Sequence, residues 1–268
     1  MSGFLDFTVL GSGSAGNAFA VASENGTLLV DAGFSCKELC ARMRASGIEP
    51  ESVQAVLLTH GHSDHVRGCR VFCDRMGIQL YAGCRTAGEL DRSGALPARV
   101  YEFEPGTAFV LAGFEVTTFP VSHDASDPVG FVLKHRDATL GMATDLGAAD
   151  ETVRHFLAGC NMLALESNYD ESMLEHSGRP PATIRRIRSR IGHLGNTDAI
   201  RELRERLIGE ATRMITLLHV SRECNDYGIV SRMAQEMLRE IGRQDICLEV
   251  ARQESALPTF HWSIGDGE

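Results

Sequence analysis

Val53-Gln54-Ala55-Val56-Leu57-Leu58-Thr59-His60-Gly61-His62-Ser63-Asp64-His65 is the stretch on which the reading of this chain turns. Val53–Leu58 is a mostly apolar run of strand length, and Asp64–Met76 has the periodicity of a helix. Between them stand three imidazoles and one carboxylate within six residues. Imidazole nitrogens and carboxylate oxygens are the donors that borderline divalent metals take, Zn²⁺ above all. On a compact strand-to-helix loop, His60 and His62 can point to one metal while Asp64 and His65, at the mouth of the helix, point to another. The bland alternative is a solvated loop with four unrelated roles. The chain has only ten histidines, so three in six residues argue against it.

Four residues cannot complete two metal sites, so further donors are expected at the ends of later strands. His123 follows the apolar strand Phe114–Pro120, Asp145 follows Thr139–Thr144, and His219 follows Met214–Leu218. Taken singly, each would serve as a cap or turn residue. Their shared position, where functional groups of α/β folds collect, makes them candidate ligands.

The rest of the chain alternates strand-rich and α/β stretches. Phe4–Leu10, Ala18–Ser23 and Thr27–Val30 read as strands, with Asn25-Gly26 as a hairpin signal. Ser35–Ser46 reads as a helix stopped by Gly47. Ile78–Ala82 reads as a strand and Thr86–Arg92 as a helix. Ala108–Leu111, Phe114–Pro120, Val129–His135 and Thr139–Thr144 form a second strand block, turning at Gly113 and Arg136-Asp137. Helices are expected over Glu151–Ala158, Pro181–Ile191, Asp198–Leu207 (capped by Thr197) and Tyr227–Ile241. Met162–Glu166, Met214–Leu218 and Ile246–Ala251 are the last strands. No low-complexity linker divides the chain. The order predicts one α/β domain over residues 1–268, a four-layer αββα sandwich of two similar halves.

The net charge of −10 counts against a protein that coats nucleic acid non-specifically. A dimetal centre restores positive charge locally. So does Arg179–Arg190, which holds Arg179, Arg185, Arg186, Arg188 and Arg190 without one acid. No stretch approaches the roughly 18 apolar residues of a membrane span. Met1-Ser2-Gly3-Phe4-Leu5-Asp6 lacks the basic-then-apolar pattern of a signal peptide. The expected setting is the cytoplasm, with no membrane partner. Of the eight cysteines, Cys36/Cys40 and Cys69/Cys73 are spaced for one helix face, as buried thiols are. No Cys-x-x-Cys occurs.

His60, His62, Asp64 and His65, followed by His123, Asp145 and His219, resemble the ligand set of the metallo-β-lactamase superfamily in its dimetal hydrolase form. The resemblance covers essentially the whole chain and implies the metallo-β-lactamase fold. It implies that His60, His62 and His123 hold one divalent ion, that Asp64, His65 and His219 hold the other, and that Asp145 bridges them, the ions being Zn or Mn. Asp31, in Val30-Asp31-Ala32-Gly33, matches an early aspartate that supports the metal loop without binding metal. Position 62 as His and position 64 as Asp match the hydrolytic pattern, not the redox di-iron one.

Narrower motifs are Gly11-Ser12-Gly13-Ser14-Ala15-Gly16-Asn17, Leu165-Glu166-Ser167-Asn168, Gly192-His193-Leu194-Gly195-Asn196 and His219-Val220-Ser221-Arg222-Glu223-Cys224-Asn225. They resemble the YycJ/WalJ branch, except that the branch has Ser where this chain has Gly195. This resemblance implies an exonuclease or related phosphodiesterase. It also implies that His193 donates a proton, with Glu166 as its carboxylate partner. As a sequence feature alone, His193 is equally a loop histidine bonded to backbone. His135, His155, His176 and His261 read as surface or turn residues. The early Gly/Ser loop has no helix behind its glycines, since Ala18–Ser23 reads as a strand, so a tight hairpin approaching the metal site is expected, not a nucleotide cradle.

The expected chemistry is hydrolysis by a hydroxide bridging two cations about 3.5–4 Å apart. Asp145 would orient that hydroxide and His193 would protonate a poor alkoxide leaving group. The helical phase of Arg185, Arg186, Arg188 and Arg190 lets about two of them reach a phosphate. The favoured substrate is DNA or RNA. The alternative is a small-molecule hydrolase acting on a thioester, a lactone or a cyclic or other small phosphodiester. A non-catalytic metal-stabilised binding module is disfavoured by the complete donor set. Asp145 and His219 are 74 positions apart, too close for a large inserted cap, so an open cleft is expected. Oligomeric state is not legible in the sequence.

Overall fold

The computed structural model describes residues 3–264; residues 1–2 and 265–268 of the expected domain lie outside the described residues. Strands β1 (Gly3–Gly11), β2 (Ala18–Ser23) and β3 (Gly26–Val30) form an antiparallel meander. Helix α1 (Cys36–Ala45), N-capped by the Ser35 hydroxyl, leads to β4 (Val53–Leu57), parallel to β3. Helices α2 (Ser63–Val66) and α3 (Cys69–Met76) precede β5 (Gln79–Gly83), and α4 (Cys84–Arg92) precedes β6 (Val100–Phe103). Both strands continue the sheet in parallel.

The second half repeats this plan. Strands β7 (Ala108–Leu111), β8 (Phe114–Pro120), β9 (Val129–His135) and β10 (Ala138–Ala143) are antiparallel. Then come α5 (Glu151–Leu157), β11 (Met162–Glu166), α6 (Glu171–Glu175), α7 (Pro181–Ile187), α8 (Asn196–Glu202), β12 (Met214–Leu218), α9 (Tyr227–Glu240) and β13 (Cys247–Val250). β11, β12 and β13 extend the sheet in parallel, and β14 (Phe260–Ile264) returns to pair with β1. The two seven-stranded sheets run β14-β1-β2-β3-β4-β5-β6 and β13-β12-β11-β10-β9-β8-β7.

Period-2 alternation divides the strand side chains between three apolar layers. Phe7, Val9, Leu28 and Val30 meet Phe114, Phe131, Leu140 and Met142 between the sheets. Leu10, Leu29 and Val56 face outward to Leu39, Met43 and Phe72 of α1 and α3. Leu163, Leu165, Ile215 and Leu217 face outward to residues of α5, α8 and α9. The layers are therefore helix, sheet, sheet, helix. Strands covered on both faces are nearly continuous apolar runs, as β11 and β12 are. Each such large side chain contributes about 1.5–3 kcal/mol by leaving water.

Several elements depart from the sequence reading. The helix expected over Asp64–Met76 breaks at Gly68, whose N–H donates to Ala32 O at 2.8 Å. A Cβ there would strike Phe34 O, so the loop after β3 packs where a continuous helix would pass. The Pro181–Ile191 helix ends at Ile187, and the chain reverses so that His193 N–H bonds Ile187 O at 2.9 Å. Gly195, not Thr197, caps α8, and Leu203–Leu207 continues it as a π-helical turn. The first hairpin turns at Glu24 and Asn25, with Ser23 paired to Gly26. β6 and β14, both at sheet edges, and the five-residue α6 carry too little periodicity to be read from sequence. His135 is buried rather than a surface residue, bonded to Gly113 O and Glu24. Cys36, Cys40, Cys69 and Cys73 are buried in the outer core as free thiols. Among the described residues no helix is long and apolar enough to cross a membrane.

Candidate metal centre

One end of the paired sheets collects the functional side chains. Asp31 follows β3, the His60–His65 loop follows β4, His123 follows β8, Asp145 follows β10, Glu166 ends β11 and His219 follows β12. Asp31, Asp145 and His219 all have left-handed backbone, with φ of 59°, 53° and 52°. Asp and His tolerate that region better than most residues, and such strain concentrates at functional sites. In each case the chain turns sharply off the strand and leaves the side chain at the sheet end.

His60, His62 and His123 each place a ring nitrogen within 4.8 Å of the other two. Asp64, His65 and His219 form a second such group, and Asp145 joins His60 and His65 in a third. The structure thus brings together all seven candidate ligands. His60 Nε2 and His219 Nε2 are buried without a hydrogen-bond partner, and His62 Nδ1 faces His123 Nε2 at 3.2 Å. Lone pairs converging with no proton donor to share are costly unless a cation takes them. The donor set therefore fits divalent ions.

The outward nitrogens are fixed by neighbours. His65 Nδ1 donates to Asp31 Oδ2 at 2.7 Å. The Thr59 hydroxyl donates to the same carboxylate and accepts from His60 Nδ1 at 3.0 Å. Asp31 therefore orients one imidazole directly and a second through Thr59. His123 Nδ1 donates to Gly192 O at 3.0 Å, and His219 Nδ1 to Glu166 Oε1 at 2.9 Å. Fixing the outer nitrogen points the inner one into the site and selects its tautomer.

Glu166 is fully buried and is satisfied by four donors. His193 Nδ1 lies at 2.8 Å and His219 Nδ1 at 2.9 Å from Oε1, while the N–H groups of Leu146 and Leu194 reach Oε2 at 2.8 and 3.2 Å. Glu166 also groups with Asp145, His193 and His219 at ligand-like spacing, but its oxygens are already taken up. It is built to hold two imidazoles.

Sequence reasoning missed Thr59 and two amides. Asn17 Nδ2 lies 3.0 Å from His65 Nε2 and 3.4 Å from Asp64 Oδ2, and Asn168 Nδ2 lies 3.2 Å from His219 Nδ1. The Ser12 hydroxyl donates to Asn17 and accepts from His219 N–H, joining the first loop to the last ligand. The Gly/Ser loop thus reaches the site through Asn17, a side chain in its motif. At Gly195 a Cβ would lie 2.8 Å from Tyr169 Cε2, so the glycine admits the tyrosine ring.

The acids and imidazoles of the site shift one another's basicity. Burial, reinforced by neighbouring His65, holds His60 well below the usual imidazole range. Burial also opposes charge on His65, but Asp31 and Asp145 outweigh it and push its pKa up to about 10. His219 is likewise raised against burial, by Asp145, Asp64 and Glu166. Asp145 is held well below the carboxylate range, His219 and His65 overcoming its burial. The carboxylates thus favour positive charge at this end of the site, which a bound divalent ion would supply.

Above the cluster opens a cleft of about 280 Å³ whose lining includes His62, Asp64, His123, Asp145, His193 and His219. His193, its side chain 17% exposed, stands at the rim. Burial lowers and Glu166 raises its basicity, and the net shift is upward. Of the arginine cluster, Arg179 and Arg186 line this cleft, whereas Arg185, Arg188 and Arg190 are exposed outside it. One of the four helical candidates therefore reaches it, not two. Arg186 pairs with Asp124 and Arg179 with Glu223.

Residues 27–219 match the family model described as the β-lactamase superfamily domain. The exodeoxyribonuclease YycJ of Bacillus anthracis is 32% identical over 240 residues, covering 89% of this chain and 90% of that protein. The exodeoxyribonuclease WalJ of Streptococcus pneumoniae is 31% identical over 223 residues, 82% of each. The metallo-β-lactamase-fold protein YhfI of Bacillus subtilis superposes with a TM-score of 0.70, covering 97% of this chain and 99% of that one, at 16% identity. With two sheets between helices and seven donors gathered at one sheet end, the chain belongs to the metallo-β-lactamase superfamily, beside its YycJ and WalJ relatives.

Proposed function

We propose that the protein is a dimetal phosphodiesterase that cleaves DNA or RNA. The observation that carries this reading is the His193–Glu166 pair at the cleft rim, 2.8 Å apart beside the metal-ligand cluster. An alkoxide is a poor leaving group, and a placed general acid answers that difficulty. Two bound divalent ions, Zn or Mn, would supply Lewis acidity and a water activated at neutral pH. His60, His62 and His123 would hold one, Asp64, His65 and His219 the other, and Asp145 both.

The chain's own groups perform the remaining work. Glu166 keeps a proton on His193 Nδ1, turns Nε2 toward the cleft and stabilises the imidazolium. His193 delivers its Nε2 proton to the departing oxygen. The Thr144 hydroxyl donates to Asp145 Oδ2 at 2.9 Å and fixes the rotation of that carboxylate. The exodeoxyribonuclease names of the YycJ and WalJ relatives support a nucleic-acid substrate. Eight free cysteines accord with a reducing, cytoplasmic setting. We assign residues 1–268 to one domain, on the apolar layer shared by both sheets.

The test is cleavage by metal-loaded protein of labelled single- and double-stranded DNA, RNA, a chromogenic phosphodiester and a thioester. Cleavage of nucleic acid is expected. The small volume above the metal-ligand cluster favours the second reading, a small-molecule hydrolase, and cleavage of the thioester alone would establish it instead.

A further inference from the structure

Beside the cleft lies a second cavity of about 500 Å³, lined by Ser14, Ala15, Arg179, Ser221, Arg222 and Glu223. Ser14, Arg179 and Ser221 line both spaces, so a single groove leads from the metal-ligand cluster outward. Arg179 is the guanidinium common to the two. It stands in the linker between α6 and α7, immediately before Pro180 and Pro181, whose rings restrict the backbone there.

Its bonding is incomplete. Nη2 donates to Glu223 Oε2 at 2.6 Å, yet Nε is buried with no partner. A guanidinium carries five donors in a planar fork that matches two oxygens of a phosphate. Because Nε is closed off from solvent, the edge of the fork that a ligand in the groove can reach is the Nη pair, of which the weakly held Glu223 occupies one. Glu223 is 75% exposed on its side chain, so its grip on Arg179 is weak and exchangeable. Arg222, paired with exposed Glu254 at 3.2 Å, places another cation along the outer cavity.

We propose that Arg179 binds a backbone phosphate next to the one attacked at the metal centre, so that a single nucleic-acid strand lies along the Ser14–Arg179–Ser221 groove toward Arg222. This rests on the nuclease reading above. Glu223 holds the empty fork in place and yields it to the phosphate. An acidic chain thereby binds a polyanion through a few placed arginines.

Full-length, metal-loaded protein would be titrated with fluorescein-labelled single-stranded phosphorothioate oligodeoxynucleotide and with the matching oligoribonucleotide, at several salt concentrations. Arg179→Ala should weaken binding and reduce the slope of log K against log salt by about 0.7, the value for one lost single-strand phosphate contact. KM for cleavage should rise with kcat retained. Arg179→Lys should keep the slope but bind more weakly, because it loses the fork. Glu223→Gln should tighten binding. Arg204→Ala, at a distant pair with Glu240, should change nothing. Metal content and melting temperature identify a variant that has misfolded, and the Lys and Gln variants then carry the test. Wild-type binding with an unchanged slope in Arg179→Ala, or in Glu223→Gln an unchanged affinity, would overturn the clamp and leave the nuclease reading standing. A wild type that binds neither strand would overturn both.

Discussion

The two sheets supply the donor set in opposite ways. The first delivers His60, His62, Asp64 and His65 from one stretch of six residues, running from the end of β4 into α2. The second delivers His123, Asp145 and His219 from three separate strands, each with one residue placed by the sheet. Each half also has its own positioning carboxylate, Asp31 in the first and Glu166 in the second. A local cluster can be kept by a short motif, whereas a dispersed one exists only when the sheet pairs in register. The dispersed half therefore depends more heavily on the fold.

The largest effect should come from Asp145→Ala. If the contiguous loop alone held both ions, metal content would stay at two per chain. We expect it to fall below two, with turnover reduced on the order of a thousandfold, the equivalent of several kcal/mol of charge stabilisation. Retention of two ions, by elemental analysis, would show the local half to be sufficient.

His193→Ala should lower kcat by about 10²–10⁴ while both ions remain. Loss of metal would make His193 a ligand instead. Because Glu166 raises the His193 pKa against its burial, the wild type keeps the acid form to higher pH than a free imidazole does. Its kcat should fall as pH rises through that pKa. The alkaline limb should vanish in His193→Ala and move to lower pH in Glu166→Gln.

Asp31→Asn and Glu166→Gln compare the two halves directly. Each should cost about 10–100-fold in metal affinity. Only Glu166→Gln should also shift the pH profile, since Asp31 touches no proton donor of the cleft. Equal profiles would undo the assignment of His193.

The mildest perturbation is metal removal. Chelation should leave a folded chain whose melting temperature rises again with added Zn²⁺ or Mn²⁺. The gain is about 2.7 kcal/mol at a free concentration one hundredfold above Kd. No shift would mean that the orphaned nitrogens of His60 and His219 take no ion.

Much of this was legible in the chain itself. The His60–His65 run, the apolar strands of both halves and the layer order follow from short-range spacing and period-2 burial, which the backbone imposes on any sequence. Edge strands β6 and β14 were not legible, because they are short and half-buried and depend on a neighbour for definition. Nor was the break at Gly68, decided by the approach of Phe34 from another segment. Nor was it legible that Arg179, in the linker before α7, and Arg186, within it, would line the cleft while Arg185, Arg188 and Arg190 stay exposed, since the direction of a short helix is set by its packing.

The sequence by itself determined which donors the protein owns and that one cluster of them is local. Tertiary structure alone decided that Asp31 orients His65 and, through Thr59, His60, that Glu166 serves His193 and His219 together, and that Asn17 lies against His65. Hydrogen bonds between residues tens of positions apart depend on direction and on distances of about 3 Å. Only the pairing of strands within each sheet, and the loops packed against their ends, sets those.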